Sequence, residues 1–219
     1  MIRRLQLKSF FILLAATIIV FITACSNNAP QVKDARISII FDYEAMDKLP
    51  EARLGIFVEA SSNPRRFGTV TVDAKGADFS WSVNDLIIAQ NHEQKFCGAV
   101  NLVMPKNEQF PMGEYKVQFI QEDEEKTEHK LTLSYDKSLY KLKADDAVQL
   151  MDSNRSERML KVYNADNKVI YYGPRTSELN DSRSIWNHYR EASEFQESWI
   201  SSNGSVIVNL PVEKVSPDN

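Results

Sequence analysis

The clearest strand signal in the chain is PMGEYKVQFI, residues 111–120. Its apolar side chains alternate with polar ones from Tyr115 to Phe119, so they share one face of an extended strand. The polar residues 122–126 then lead into KLTLSY, residues 130–135, whose apolar side chains match that face across a hairpin. The sequence therefore predicts two antiparallel strands in this region.

A short motif within this stretch consists of a proline followed by Gly-x-Tyr-x-Val, at Pro111, Gly113, Tyr115 and Val117. The motif resembles the tyrosine corner of immunoglobulin-like and fibronectin-type sandwiches, in which the tyrosine opens the penultimate strand and its hydroxyl bonds back to the preceding turn. The resemblance implies an immunoglobulin-like antiparallel β-sandwich over residues 35–136, with Tyr115 in its core. The Cys, Trp and Cys pattern of antibody domains is absent from the sequence.

Further strands are predicted before this hairpin by the same alternation, over residues 36–43, 54–58, 69–72, 78–83 and 99–104. Gly76 lies between the third and fourth of these strands and provides the positive φ of a hairpin turn. Residues 84–90 fit either a short helix or an edge strand.

A smaller mixed β/α unit is predicted over residues 137–219, because the chain becomes charged and only patchily apolar after residue 137. One hairpin is indicated around the polar turn at residues 164–167, and another by the dipeptide Asn203-Gly204. The predicted fold class is therefore mainly β, an immunoglobulin-like antiparallel sandwich followed by a smaller mixed β/α unit.

One helix is predicted between these two hairpins. Five apolar side chains recur at helical spacing, at Ile185, Tyr189, Ala192, Phe195 and Trp199. The last of them also fit the alternation of a strand, so we expect a helix over about residues 182–192 and a strand from Phe195 onward. Residues 213–219 are expected to fray.

The start of the chain has the order of an export signal. Three basic residues and no acid occupy the first eight positions, and an uncharged apolar run follows from Phe10 to Cys25. As a helix this run spans about 24 Å, short of the roughly 30 Å hydrocarbon core of a bilayer. Residues 1–24 are therefore predicted to be a signal peptide.

The signal ends in Ile22-Thr23-Ala24-Cys25, which resembles the lipobox of bacterial lipoproteins. The resemblance implies a diacylglyceryl thioether on the Cys25 sulfur, cleavage just before it, and a short lipidated tether over residues 25–34. Two acyl chains of roughly fifteen methylenes each contribute on the order of 20 kcal/mol, which is enough to hold a protein on a membrane.

Two alternatives to lipidation remain at this point. In one, an ordinary signal peptide is cleaved near Cys25, and in the other the apolar run is retained as an anchor helix. Ser26 follows the cysteine where an Asp would indicate retention in the inner membrane of enterobacteria, and this resemblance favours the outer membrane. The sequence leaves the choice between inner and outer membrane open.

The composition excludes several functional classes. The chain has 26 Lys and Arg against 30 Asp and Glu, which disfavours a nucleic-acid partner because such proteins need a basic surface. No Gly-x-Ser-x-Gly motif or phosphate-binding glycine loop is present, so no catalytic motif or cofactor is indicated. If Cys25 carries lipid, Cys97 is the one remaining thiol, and its apolar surroundings indicate a buried small side chain rather than a reactive or bridging one.

No metal site is indicated either. The three histidines, His92, His129 and His188, are scattered and lack the spacing of zinc ligands. The acidic run at residues 122–125 lacks the spaced ligands of a calcium loop and is interpreted as a solvated hairpin turn.

Aromatic side chains in the second unit form the best candidate binding surface, with Trp186, Tyr171 and Tyr172 as its members. Exposed Trp and Tyr anchor protein partners or stack on sugars. The alternative is that the aromatic group forms the core of the small unit, with Trp186 as its most exposed member because it lies off the helical stripe.

Together these observations predict a lipid-anchored bacterial cell-envelope protein that acts as a binding or structural module, with a protein or glycan as its partner and the membrane bound through Cys25. The alternatives are a solute-binding or hydrolytic envelope lipoprotein, which would need a deep polar cleft, and an adhesin, which would need an aromatic patch or an open strand edge.

Metabolic labelling with a fatty-acid analogue is expected to mark the wild-type protein and not a Cys25→Ser variant, because only the cysteine sulfur accepts the lipid. Mass spectrometry is expected to find Cys25 at the mature amino terminus. Equal labelling of the two proteins, or a mature terminus elsewhere, would contradict the lipobox interpretation.

Overall fold

Residues 32–216 are described by a computed structural model, apart from residues 62, 92–93, 106–107 and 122–124. The expected signal peptide, the lipobox with Cys25, Ser26, His92 and most of the acidic run at 122–125 lie outside the described residues. The described part is mainly β, with a sandwich-like arrangement and a small additional unit, which confirms the predicted fold class.

The strands are β1 Val32–Asp42, β2 Glu51–Ala60, β3 Phe67–Ala74, β4 Ser80–Val83, β5 Ile87–Asn91, β6 Gln94–Leu102, β7 Gly113–Gln121, β8 Lys126–Leu133, β9 Glu157–Asn164, β10 Val169–Pro174, β11 Ala192–Ile200, β12 Val206–Asn209 and β13 Glu213–Lys214. Two α-helices, α1 Ala144–Ser153 and α2 Ser182–His188, lie in the second half of the chain. Residues 84–90, which fitted a helix or a strand, contribute to β5.

The first eight strands form the two layers of the sandwich. One layer contains the order β1-β2-β6-β5 and the other the order β4-β3-β7-β8. This is the arrangement of strands A, B, E and D against C, F and G in immunoglobulin-like domains, with β4 as the extra strand beside C. The facing side chains of both layers form one core, whose largest fully buried members include Phe41, Tyr115, Phe119, Leu54 and Ile56.

Tyr115 occupies the position that the tyrosine-corner resemblance implied. Its side chain is fully buried, and its hydroxyl donates a hydrogen bond to the carbonyl oxygen of Pro111 at 2.7 Å. Gly113, between the two, has φ of +120°, a conformation that a residue with a Cβ rarely adopts. The motif therefore fixes the entry of the chain into β7.

The second half of the chain extends the first layer of the sandwich. β12 pairs in parallel with β1, and the sheet continues in the order β12-β11-β9-β10. The boundary expected between residues 136 and 137 therefore does not separate two sheets, and the described residues on both sides of it lie within one compact unit. The second half keeps a small core of its own, made by Leu160, Val162, Leu179, Ile185 and Phe195.

The two helices differ in how well the sequence anticipated them. α2 starts where predicted, because Asp181 caps its first turn and forms a reciprocal capping box with Ser184. It ends at His188 and not at the predicted residue 192, because Ala192 is already the first residue of β11. α1 was not predicted, although Ala144, Ala147 and Met151 line its buried face.

The expected turns are confirmed at two glycines. Gly76 and Gly204 both have positive φ, and each lies between antiparallel strands, β3 with β4 and β11 with β12. The expectation that residues 213–219 fray is wrong for Glu213 and Lys214, which pair with β11 as strand β13. Residues 217–219 lie outside the described part.

A chain of polar side chains crosses the outer face of the large sheet at the junction between its two halves. Asp42 accepts from Arg53 Nε at 2.6 Å and from Asn209 Nδ2 at 2.7 Å. Asn209 Oδ1 accepts from Ser198 Oγ at 2.6 Å and from Lys161 Nζ at 3.2 Å. We term these five residues the joint network, because they connect β2, β1, β12, β11 and β9.

A Tyr115→Phe substitution is expected to lower the free energy of unfolding by about 1–3 kcal/mol, because the ring still fills the core but the Pro111 carbonyl loses its partner. Urea denaturation measures this change. The matched control is Tyr172→Phe, on an exposed side chain, for which a change within about 0.5 kcal/mol is expected. Equal effects of the two substitutions would contradict a structural role for the Tyr115 hydroxyl.

Candidate functional site

The candidate site lies at the end of the sandwich where β1 finishes and β2 begins, which we term the far end. Register pairs place Asp42 opposite Glu51 and Leu54 opposite Leu102, so β1, β2 and β6 share this end. β1 has 11 residues, so its first residue, Val32, lies about 33 Å away along the strand. The chain therefore enters the sandwich at the opposite end from the candidate site.

A groove of about 530 Å³ opens at the far end. It is lined by Pro50, Glu51, Ala52, Val103, Met104, Pro105, Glu108, Gln109, Tyr140 and Lys141. These residues come from the start of β2, from the connection between β6 and β7, and from the 3₁₀ turn that follows β8. The volume falls within the range of about 300–1,000 Å³ typical of ligand sites.

Three tyrosine hydroxyls hold the connection that forms one wall of this groove. Tyr140 Oη accepts from the Phe110 backbone N–H at 3.1 Å, and the Tyr135 hydroxyl donates to the Phe110 carbonyl at 2.6 Å. The Tyr115 hydroxyl holds the next carbonyl, that of Pro111. Burial raises the pKa of all three phenols, so they stay protonated at physiological pH. We term this set the tyrosine clamp.

The beginning of the same connection is held by an indole. Trp81 Nε1 donates to the Val103 carbonyl at 2.9 Å, and its ring stacks on Phe110 with centroids 5.9 Å apart. Phe110 is itself buried. The groove wall is thus fixed at both ends by side chains of the sandwich, which favours a site formed before its ligand arrives.

The segment that joins β1 to β2 is fixed as well. The Tyr43 hydroxyl donates to the Leu142 carbonyl at 3.0 Å, and the Ala144 N–H donates to the Met46 carbonyl at 3.3 Å. Burial, with a smaller contribution from Asp146, raises the pKa of Tyr43 to about 12. The segment is therefore attached to the start of α1.

Apolar side chains are exposed on the two connections that contribute residues to the groove. Met46, Leu49, Val103 and Met112 each expose between 41% and 59% of their surface, and all belong to the two connections at the far end. We term these four residues the apolar rim. Methionine side chains adapt to differently shaped apolar partners, and clustered exposed apolar residues mark interaction sites.

The aromatic surface predicted from the sequence is not assembled. Tyr171 lies with the small core, where its ring packs 5.5 Å from Tyr189, whereas the adjacent Tyr172 points to the opposite face of β10 and is exposed. Trp186 is half-buried under the guanidinium of Arg190, 3.6 Å from its ring centroid. The structure therefore does not bring Trp186, Tyr171 and Tyr172 onto one surface.

The described histidines and the cysteine are far from a reactive arrangement. His188 Nδ1 lies 3.0 Å from the Ser184 carbonyl within its own helix, and His129 Nε2 is buried without a hydrogen-bond partner among the described residues. Cys97 is fully buried, and burial raises the pKa of its thiol to about 11, which confirms a buried apolar role. Within the described ranges, no cluster of three or more His, Cys, Asp and Glu residues has a geometry that would hold a metal ion.

The buried carboxylate of Glu197 is stabilised by two ion pairs. Glu197 lies on β11 between Phe195, in the small core, and Trp199, in the main core. Arg158 Nη2 approaches it at 2.5 Å, and Arg175 pairs with its other oxygen. The carboxylate is therefore engaged on both sides and serves to connect the two cores.

Comparisons with protein families, with curated proteins and with solved structures found no match to this chain. In the described part of the chain, no helix is both long enough and apolar enough to cross a bilayer.

Only one member of the tyrosine clamp, Tyr115, was given a hydrogen-bonding role from the sequence. The part that the clamp plays in shaping a groove was not predicted. Tyr115 was recognised from the Gly-x-Tyr motif, and Tyr135 was expected to face its hairpin partner. Tyr140 lies in a segment described only as patchily apolar, and no local pattern indicates that its hydroxyl reaches Phe110. Two tyrosines, Tyr135 and Tyr140, follow the end of β8 within seven residues, and this pair is the sequence signal that points to such a contact.

A Tyr140→Phe substitution is expected to raise hydrogen exchange at the Phe110 amide at least tenfold, because that N–H loses its acceptor. Exchange measured by NMR at single-residue level tests this. Tyr163→Phe, on a half-buried tyrosine of β9, is the matched control and is expected to leave the Phe110 amide unchanged. Unaltered protection of Phe110 in the Tyr140→Phe variant would contradict the clamp.

Proposed function

We propose that this protein is a lipid-anchored bacterial cell-envelope protein that binds a protein partner through the far end of its sandwich. The lipobox at Cys25 supports the anchor, and Ser26 favours delivery to the outer membrane. Residues 32–34 of the expected tether belong to β1, which begins at the end of the sandwich opposite the far end.

The observation that carries the binding proposal is the groove of about 530 Å³ with its apolar rim, held in shape by the tyrosine clamp. A fixed wall lowers the entropy lost on binding, because Val103, Phe110 and Pro111 are already held by side-chain hydrogen bonds before the partner arrives. Leu49 and Val103 are exposed, and neither contributes to the main core. Packing within the sandwich therefore does not account for these two apolar side chains.

The chemistry of the lining favours an extended protein segment with apolar side chains and a basic residue. Glu51 and Glu108 carry negative charge in the groove against the single positive charge of Lys141. The aliphatic part of the lining consists of Pro50, Ala52, Val103, Met104 and Pro105. A sugar would need an open aromatic face, and the ring of Tyr140 is instead packed edge-on against Phe41, with centroids 5.1 Å apart.

Photo-crosslinking in living cells tests this proposal. A benzoylphenylalanine at Val103 is expected to give a discrete protein adduct, because that side chain belongs to both the groove and the rim. The matched control is the same group at Val169, an equally exposed aliphatic residue on β10, which is expected to give no such adduct.

A second substitution, Leu49→Asp, is expected to reduce the Val103 adduct at least tenfold, since it places a charge in the rim without entering the core. The same adduct at Val103 and Val169, or no adduct at Val103, would overturn the proposal. The latter result, combined with a small molecule that copurifies with the wild-type protein, would favour the solute-binding alternative.

A further inference from the structure

A second cavity lies between α1 and the hairpin that joins β11 to β12, and its volume is about 220 Å³. It is formed by the last turn of α1 with Ser156, by the loop of residues 201–205 with the start of β12, and by the beginning of the 3₁₀ turn that follows β8. Every residue that lines it is described by the structure. It shares no lining residue with the groove at the far end.

The loop on one side of this cavity is held by its own side chains. Asn203 Oδ1 accepts hydrogen bonds from Ser201 Oγ at 2.9 Å and from the Ser205 N–H at 3.0 Å. Ser201 Oγ in turn accepts from the Val206 N–H at 2.9 Å. This wall of the cavity is therefore formed before any ligand arrives, which lowers the entropy lost on binding.

Polar groups on the lining keep hydrogen-bonding capacity for a ligand. The side chains of Asn154 and Ser202 are exposed and form no hydrogen bond with another described residue. The Asp136 carboxylate accepts from the Ser138 N–H through Oδ1 at 2.8 Å. Because a carboxylate has about four acceptor positions, Asp136 can also accept from a ligand.

The electrostatics of the lining favour a positive charge. Asp136 is the one ionisable side chain that lines the cavity, and hydrogen bonds from the backbone and the side chain of Ser138 hold its pKa below the usual range. The C-terminal turn of α1, the negative end of the helix dipole, forms part of the wall. α1 contains three aspartates and no basic residue, and Arg155, which follows it, does not line the cavity.

We propose that this cavity binds a small organic cation, namely a primary ammonium group on a short aliphatic chain. The ammonium has three N–H donors, and Asp136, Asn154 and Ser202 provide oxygen acceptors for them. The apolar side chains of Leu150 and Val206 line the same cavity and cover the aliphatic chain. This site is additional to the partner-binding groove and does not depend on it.

The surroundings of the cavity favour a small molecule over a protein partner. None of the large apolar side chains that are exposed in the described part of the chain lines it, whereas Val103 lines the groove at the far end. The volume of about 220 Å³ lies below the range of about 300–1,000 Å³ typical of drug-sized ligands, so it fits a ligand of few atoms.

An NMR titration of the ¹⁵N-labelled full chain in detergent with n-butylammonium chloride, at constant ionic strength, tests this proposal. Saturable shifts are expected at the backbone amides of residues 201–205. n-Butanol keeps the aliphatic chain and lacks the charge, so it is expected to bind about fivefold more weakly. Sodium butyrate is expected to give no saturable shift, because Asp136 repels its carboxylate.

An Asp136→Asn substitution is expected to weaken n-butylammonium binding about fivefold, because it removes the charge and keeps a side chain that can cap the following turn. Asp145→Asn, at the opposite end of α1, removes the same charge outside the cavity and is expected to leave binding unchanged. Asn154→Leu removes an acceptor from an exposed position and is expected to weaken binding without affecting the fold.

Absence of saturable shifts at residues 201–205, equal binding of n-butylammonium and n-butanol, or equal effects of Asp136→Asn and Asp145→Asn would overturn the proposal. Saturable shifts confined to the groove at the far end would overturn it as well. Crosslinking at Val103 is expected to be the same in the Asp136→Asn variant, because the two sites share no lining residue, so each proposal can fail without the other.

Discussion

Two consecutive residues, Phe110 and Pro111, depend on the hydroxyls of two buried tyrosines, Tyr115 and Tyr135, and one partly buried tyrosine, Tyr140. The Phe110 N–H, the Phe110 carbonyl and the Pro111 carbonyl each bind a different tyrosine. Without these partners, the connection from β6 to β7 would either leave buried backbone groups unpaired or move away from the sandwich, and both are costly. The position of the groove wall, and with it the shape of the far end, follows from this one set of hydrogen bonds.

β1 connects this sandwich to the rest of the chain. It pairs antiparallel with β2 on one side and in parallel with β12 on the other, so its inner side chains Ile39 and Phe41 belong to the main core. On the outer face, the joint network links the same two halves of the sheet by hydrogen bonds between side chains. Burial lowers the pKa of Lys161, and the nearby carboxylate of Asp42 opposes that shift, which is consistent with a charge held for pairing.

The local features of the fold were predictable because each has a short-range cause. Gly76 and Asn203-Gly204 mark turns through backbone freedom, and Tyr115 follows from its motif. α1 was missed because its buried face uses two alanines and one methionine over ten residues, which is a weak apolar signal. The pairing of β12 with β1 joins residues about 170 positions apart, so no local pattern indicates it.

The aromatic surface expected from the sequence shows the same limit of local patterns. Tyr171 and Tyr172 are adjacent, and the alternation of a strand already separates two adjacent side chains onto opposite faces. The groove instead combines three segments distant in sequence, around Pro50, Val103 and Tyr140. The sequence favoured aromatic residues as the binding surface. In the structure, the exposed apolar side chains at the far end are instead those of Met, Leu and Val.

The strand that extends the sheet also determines which surfaces remain open. In a sandwich of this order, β1 and β5 are the two edges of the same layer, and both would be exposed in an isolated domain. β12 covers β1, and the extended sheet then ends at β10, where Pro174 lacks an N–H. β5 forms the other end of that layer among the described residues.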